Sequence, residues 1–143
     1  MKEILIATDS SDGAMRAFDY AVNLAPCLGS RVVIANIVSA IPADLFARLT
    51  AEQCAWLRET EAALSAEILR AAAARAKALG GDGAVLESRG GEIARALMDI
   101  ANERNVELIV AGKRGAGRVE GILLGSVSQK LVSVSARPVL VVP

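Results

Sequence analysis

Short apolar runs alternate with amphipathic stretches along the whole chain. Ile4-Leu5-Ile6-Ala7 is a continuous apolar run closed by Thr8-Asp9-Ser10-Ser11-Asp12-Gly13, the pattern of a buried strand emptying into a polar loop. Met15, Phe18, Ala21, Val22, Ala25 and Leu28 then recur at helical spacing, and Gly29 stops that helix. A second, β-branched strand covers Arg31 to Val38. Ile41-Pro42 opens a loop, and helical periodicity follows to about Ala78. Thr50-Ala51-Glu52-Gln53 matches a capping box, so this helix starts at Thr50 or restarts there, and Gly80-Gly81-Asp82-Gly83 terminates it.

The alternation continues to the end. Ala84 to Ser88 reads as a weaker third strand, and Gly90-Gly91 leads into a helix carrying Ile93, Leu97, Ile100 and Ala101. Val106 to Ala111 is a fourth strand. A helix from about Gly125 to Val134 precedes a fifth strand, Pro138 to Val142, entered through a proline that fits only a strand start or edge. Near-continuous apolar strands alternating with helices predict an α/β fold: a parallel sheet with helices on both faces, doubly wound because crossovers are right-handed. Ligands of such sheets lie beyond the carboxyl ends of the strands, where the strand order reverses. No repeat, linker or low-complexity segment interrupts the pattern, so residues 1–143 are expected to form a single domain.

Two loops at that end are chemically equipped. One is Asp9-Ser10-Ser11. The other is Gly112-Lys113-Arg114-Gly115, then nine residues, then Gly125-Ser126 at the start of a helix. Glycines let backbone N–H groups approach an anion closely, and a helix N-terminus adds open donors and partial positive charge, so the pattern predicts a phosphate cradle. Ser126 is expected to cap the helix, alone or while also meeting a phosphate.

Composition narrows the chemistry. The chain is 53% hydrophobic but only 3% aromatic, so its core is aliphatic and base-stacking platforms for nucleic acid are excluded. Sixteen basic residues balance sixteen acidic ones, leaving no field to attract nucleic acid. Histidine is absent, which removes Ser-His-Asp and Cys-His catalysis and the common zinc sites. Cys27 and Cys54 lack C-x-x-C spacing, and both are expected to be reduced core residues. Lys2-Glu3 leads straight into a strand rather than a signal sequence, and no run approaches the ~20 apolar residues of a membrane span. The expectation is a soluble cytoplasmic domain.

Asp9 at the end of strand one, Ile37 at the end of strand two, the spaced Gly-x-x-Gly-(nine residues)-Gly-Ser, and the segments Leu123 to Ser128 and Ala136 to Val142 together resemble the universal stress protein family, over the whole chain. The resemblance implies a five-stranded sheet of order 3-2-1-4-5. Members that keep the spaced motif bind ATP, and this sequence keeps it. It implies that Asp9 contacts the adenosine, that the Ile37 backbone reads the adenine edge, and that Gly112 lies under the ribose. Gly115, Gly125, Ser126 and the Val127 amide would hold the phosphates, with Mg2+ or Mn2+ bridging their oxygens. It also implies a homodimer through the last strand, Val139, Leu140, Val141 and Val142. Asn36 and Arg114 stand where members often carry histidine, which leaves the backbone donors intact.

Each residue also has a plainer reading. Asp9 could cap the first helix, and Gly112 and Gly115 could serve a turn with no ligand. Lys113, Arg114 and Arg118 are expected to be solvated loop charges, with Arg114 or Arg118 available to screen a triphosphate. Trp56, Leu57 and Leu49 are expected in the core. Ala71 to Ala74 reflects helix propensity, and Glu59, Glu61, Arg70, Arg75 and Lys77 a solvated helix face. An ATP-binding regulator of the stress response is the favoured function. A slow ATPase lacks a base near the Gly loop, where Glu120 is the nearest carboxylate in sequence, and no Walker pattern occurs. A ligand-free dimeric interaction module is the remaining alternative.

Overall fold

The computed structural model describes residues 2–115 and 123–143. Arg118 and Glu120 lie outside the described residues. Five strands, β1 (Lys2–Ala7), β2 (Ser30–Ser39), β3 (Val85–Gly91), β4 (Leu108–Gly112) and β5 (Val139–Val142), form one sheet of order β3-β2-β1-β4-β5. All four pairings are parallel, with Leu5 opposite Val33 and Ile109 and with Val110 opposite Leu140. This is the doubly wound α/β arrangement the pattern predicts.

The run Ile4-Leu5-Ile6 is apolar at every position because both faces of β1 are covered. Ile4 and Ile6 pack with Phe18, Ala21 and Val22 of α1 (Asp12–Leu24) and Leu69, Ala72 and Ala76 of the long α3 (Ala51–Ala78). Leu5 packs with Leu97, Ile100 and Ala101 of α4 (Ile93–Glu103) and Leu131 of α5 (Ser126–Val134) on the other face. Small alanines on α1, α3 and α4 let these helices seat closely on the sheet, which is how a core nearly free of aromatic rings closes.

Local chemistry decides the element ends. The first helix stops at Leu24 rather than Leu28, because Pro26 cannot continue the hydrogen-bond ladder; a 3₁₀ turn covers Pro26–Leu28, and Gly29 then adopts φ 60°. The second helical stretch does restart. A short α2 (Ala43–Phe46) ends before Thr50, whose hydroxyl accepts from the Gln53 amide while Gln53 reaches back to the Thr50 amide. β3 runs on to Gly91, past the expected end at Ser88, because it pairs with β2 as far as Ser39.

Two expectations fail on burial. Cys27 is exposed on the 3₁₀ turn, whereas Cys54 is buried. Trp56 is 63% exposed, with Leu57 and Leu49 only half-buried. Helix α3 is long enough to overhang the sheet, so its first turns carry apolar side chains with little to cover them. Arg75 is not merely solvated: it forms a bidentate pair with Asp19 of α1 at 2.5 Å, fastening α3 to α1.

An ion cluster absent from the sequence reading sits at the amino end of β1. Glu3, 5% exposed, accepts from Arg31 of β2 and from Arg104 after α4, and Arg104 reaches Glu87 of β3 at 3.1 Å. No described helix is long and apolar enough to cross a membrane.

Candidate functional site

β1 and β4 are neighbours at the centre of the sheet, while the chain leaves β1 toward β2 on one side and enters β5 from β4 on the other. The loops therefore diverge above β1 and β4 and leave a crevice at their carboxyl ends. A cavity of about 300 Å³ occupies it. Asp9, Ile37, Gly112, Gly115, Gly125, Ser126 and Val127 all line this cavity, with Thr8, Ala35, Ile93, Arg114 and Ser128 among their neighbours. The floor is aliphatic and the rim is polar.

The polar rim is built from backbone. Gly125 is the N-cap of α5, and no side chain among the described residues caps this helix, whereas Ser11, Thr50 and Glu92 cap α1, α3 and α4. The expected capping role of Ser126 is thus corrected: Ser126 is the first helical residue, and its predecessor has no side chain to offer. Ser126 and Val127 at the start of α5 line the cavity, and a helix start carries open amides and partial positive charge.

Asp9 is exposed at the rim and does not cap α1. One carboxylate oxygen accepts from the Ser11 amide at 2.9 Å, and Ser11 is the cap, accepting from Ala14 at 3.3 Å. The other oxygen faces Gly115, where an added Cβ would lie 3.0 Å from it. Ser10 follows with φ 64°, unusual outside glycine, its amide 3.2 Å from the Thr8 hydroxyl. Asn36 is buried, and its side-chain amide donates to the Thr8 carbonyl at 2.8 Å, tying the end of β2 to the turn that carries Asp9.

The loop after β4 is anchored on several sides. The Lys113 amide donates to the Val142 carbonyl at 2.6 Å, and the Lys113 carbonyl accepts from the Gly125 amide at 2.8 Å. The buried Ser128 hydroxyl lies 3.0 Å from the Lys113 carbonyl. Lys113 and Arg114 are half-buried rather than freely solvated, because the loop folds back onto α1; Arg114 lines the cavity. Ser128 is the site residue that sequence reasoning passed over. Its signal was helical spacing: three residues past Gly125, it stands one turn along α5.

A parallel doubly wound sheet with a cavity at its switch point and the start of a helix on the rim defines an α/β domain of the doubly wound class. The chain belongs to the universal stress protein family, which it matches over residues 1–143. A universal stress protein of Thermus aquaticus is 34% identical, over 99% of this chain and 98% of that protein. Among solved structures, a universal stress protein in complex with cAMP is 28% identical with a TM-score of 0.76, covering 99% of this chain and 97% of that one. The universal stress protein UspA of Lactobacillus plantarum shares the fold with a TM-score of 0.83 at 24% identity, covering 99% and 97%.

Proposed function

We propose that this protein binds ATP in the cavity above β1 and β4, and that occupancy of this site regulates its part in the stress response. The observation that carries the reading is the convergence of two distant loops and the start of a helix on one cavity, with Asp9 on one wall and Gly115, Gly125, Ser126 and Val127 on the other. The aliphatic surface of Ala35, Ile37, Ile93 and Val127 suits a planar base. In this reading Asp9 accepts from ribose hydroxyls and the Ile37 backbone meets the adenine edge. Gly112 lies beneath the sugar, and the α5 amides hold the phosphates. Mg2+ or Mn2+, bound with the nucleotide, would supply charge neutralisation at the phosphates; no cluster of three or more His, Cys, Asp or Glu side chains that could hold the ion occurs among the described residues, so the nucleotide itself would hold it. The chain acts as a homodimer through β5.

The relative complexed with cAMP supports adenine as the base and makes a cyclic monophosphate the second ligand to examine. Mass analysis of nucleotide released from the denatured protein, followed by calorimetric titration with ATP and Mg2+, AMP and cAMP, tests the reading. Co-purified adenine nucleotide or micromolar ATP affinity is expected. An empty protein that gives no heat with any of the three would overturn it, and turnover well above about 1 per minute would favour an ATPase instead.

A further inference from the structure

Helix α1 begins beside the loop that follows β4, and at Gly13 and Gly112 the two approach backbone to backbone. A Cβ added at Gly13 would collide with the Arg114 carbonyl oxygen. A Cβ added at Gly112 would stand 2.7 Å from the Gly13 carbonyl group and 3.0 Å from the Ala14 nitrogen. The contacts to the Arg114 oxygen and the Gly13 carbonyl are shorter than real Cβ contacts, and the opposing atoms are main chain, which cannot rotate away.

Gly13 is in the first turn of α1 and has no left-handed φ to explain it. A glycine inside a helix costs stability relative to alanine. Its missing side chain therefore serves the close approach to Arg114, not the helix. Three other restraints act on the same loop from β5 and α5: Val142, Gly125 and Ser128. Gly13 is the only one that acts from the α1 side among the restraints described above, and it fixes how low Lys113-Arg114-Gly115 lies over the cavity.

We infer that Gly13, outside the spaced glycine motif, is a positioning residue that seats the phosphate-holding loop and so makes the site select phosphorylated ligands over the bare nucleoside. The assignment rests on the nucleotide reading above. Gly13 does not line the cavity; its own Cβ position opposes the Arg114 carbonyl, and Ile37, Ala35 and Ile93 on the cavity wall are not among the atoms it opposes.

Gly13→Ala tests it, with ATP and adenosine titrated into wild type and variant and the amide resonances of both compared without ligand. The expected result is a folded variant whose ATP affinity falls about tenfold or more, with adenosine affinity within about twofold of wild type. The amides of Lys113 to Gly115 should shift while those of Ile109 and Val110 stay in place. Unmoved loop amides, or equal losses for ATP and adenosine, would overturn the assignment. So would a variant that does not fold, since the contact would then hold the whole domain. Wild-type protein that binds neither ligand is a separate outcome, which removes the nucleotide reading itself.

Discussion

The hydroxyl of Ser128 lies 3.0 Å from the carbonyl oxygen of Lys113, and equally close to the Gly125 carbonyl of its own helix. One buried proton is thus shared between α5 and the loop that β4 sends over the cavity. Ser128→Ala is expected to cost about 1 kcal/mol of stability, since the Lys113 carbonyl keeps the Gly125 amide as a partner. The loop would lose its tie to the first turn of α5, and ATP affinity is expected to fall about fivefold. Thermal unfolding and calorimetric titration of the same variant check the two effects.

Gly115→Val separates the site from the fold. A Cβ at Gly115 meets only the end of the exposed Asp9 side chain, at 3.0 Å, and that carboxylate can swing aside. The added methyls would then stand in the space the phosphates need. Circular dichroism should match wild type while ATP affinity drops about tenfold or more. Gly125→Val should also abolish binding, but its Cβ would press on the Arg114 Cα at 3.3 Å and the Lys113 carbonyl at 3.4 Å, so some stability should go with it.

The Glu3 cluster sets the acid limit of the fold. The Arg104 guanidinium holds the Glu3 carboxyl below its ordinary value near 4.5, against the opposing effect of burial, and Arg31 adds to the lowering. A carboxyl whose folded pKa is depressed stabilises the fold fully above its unfolded pKa, and that contribution is lost as pH falls through the folded value. Glu3→Gln should therefore lower stability at pH 7 by about 2 kcal/mol, because two guanidinium groups lose a buried partner. The deficit should shrink in acid, as pH falls through the lowered folded value and wild type itself protonates. Urea titrations at pH 7 and in acid read the difference directly.

Much of the sheet was legible because burial on both faces leaves a one-dimensional trace: Ile4-Leu5-Ile6 and Ile109-Val110-Ala111 are apolar at every position for that reason. The strand order came from family likeness and not from periodicity, which carries no information on neighbours. The loops of the candidate site were legible for a similar reason, since Gly112, Gly115 and Gly125 are conspicuous inside a strand-loop-helix frame. Contacts between distant residues left no such trace. Glu3 meets Arg31 and Arg104 at separations of 28 and 101 residues, and Gly13 looked like an ordinary loop glycine until Arg114 was seen against it. Trp56 misled because helical spacing shows which residues share a face, not whether anything covers that face; here the helix reaches past the sheet's edge.

The last prediction concerns the outer edge of β5. Among the described residues this strand pairs only with β4, from Ile109 opposite Val139 to Gly112 opposite Val142, so its far side has no described strand beside it. Leu140 and Val142 pack toward α1 and Val139 toward α4 and α5, and all four residues of the strand are half-buried. An apolar edge strand is suited to a two-fold pairing with a second copy. Val141→Lys is a sharper test than a charge at Leu140, because Leu140 is packed against the α1-side core and a charge there would disturb the fold as well. If the chain dimerises through β5, wild type should sediment as a dimer and Val141→Lys as a folded monomer. A variant that remains dimeric would clear β5 of that role. The same variant also reports on the site, since Val142 accepts the Lys113 amide: unchanged ATP affinity in the monomer would mean that the loop's seat on β5 does not depend on the second copy.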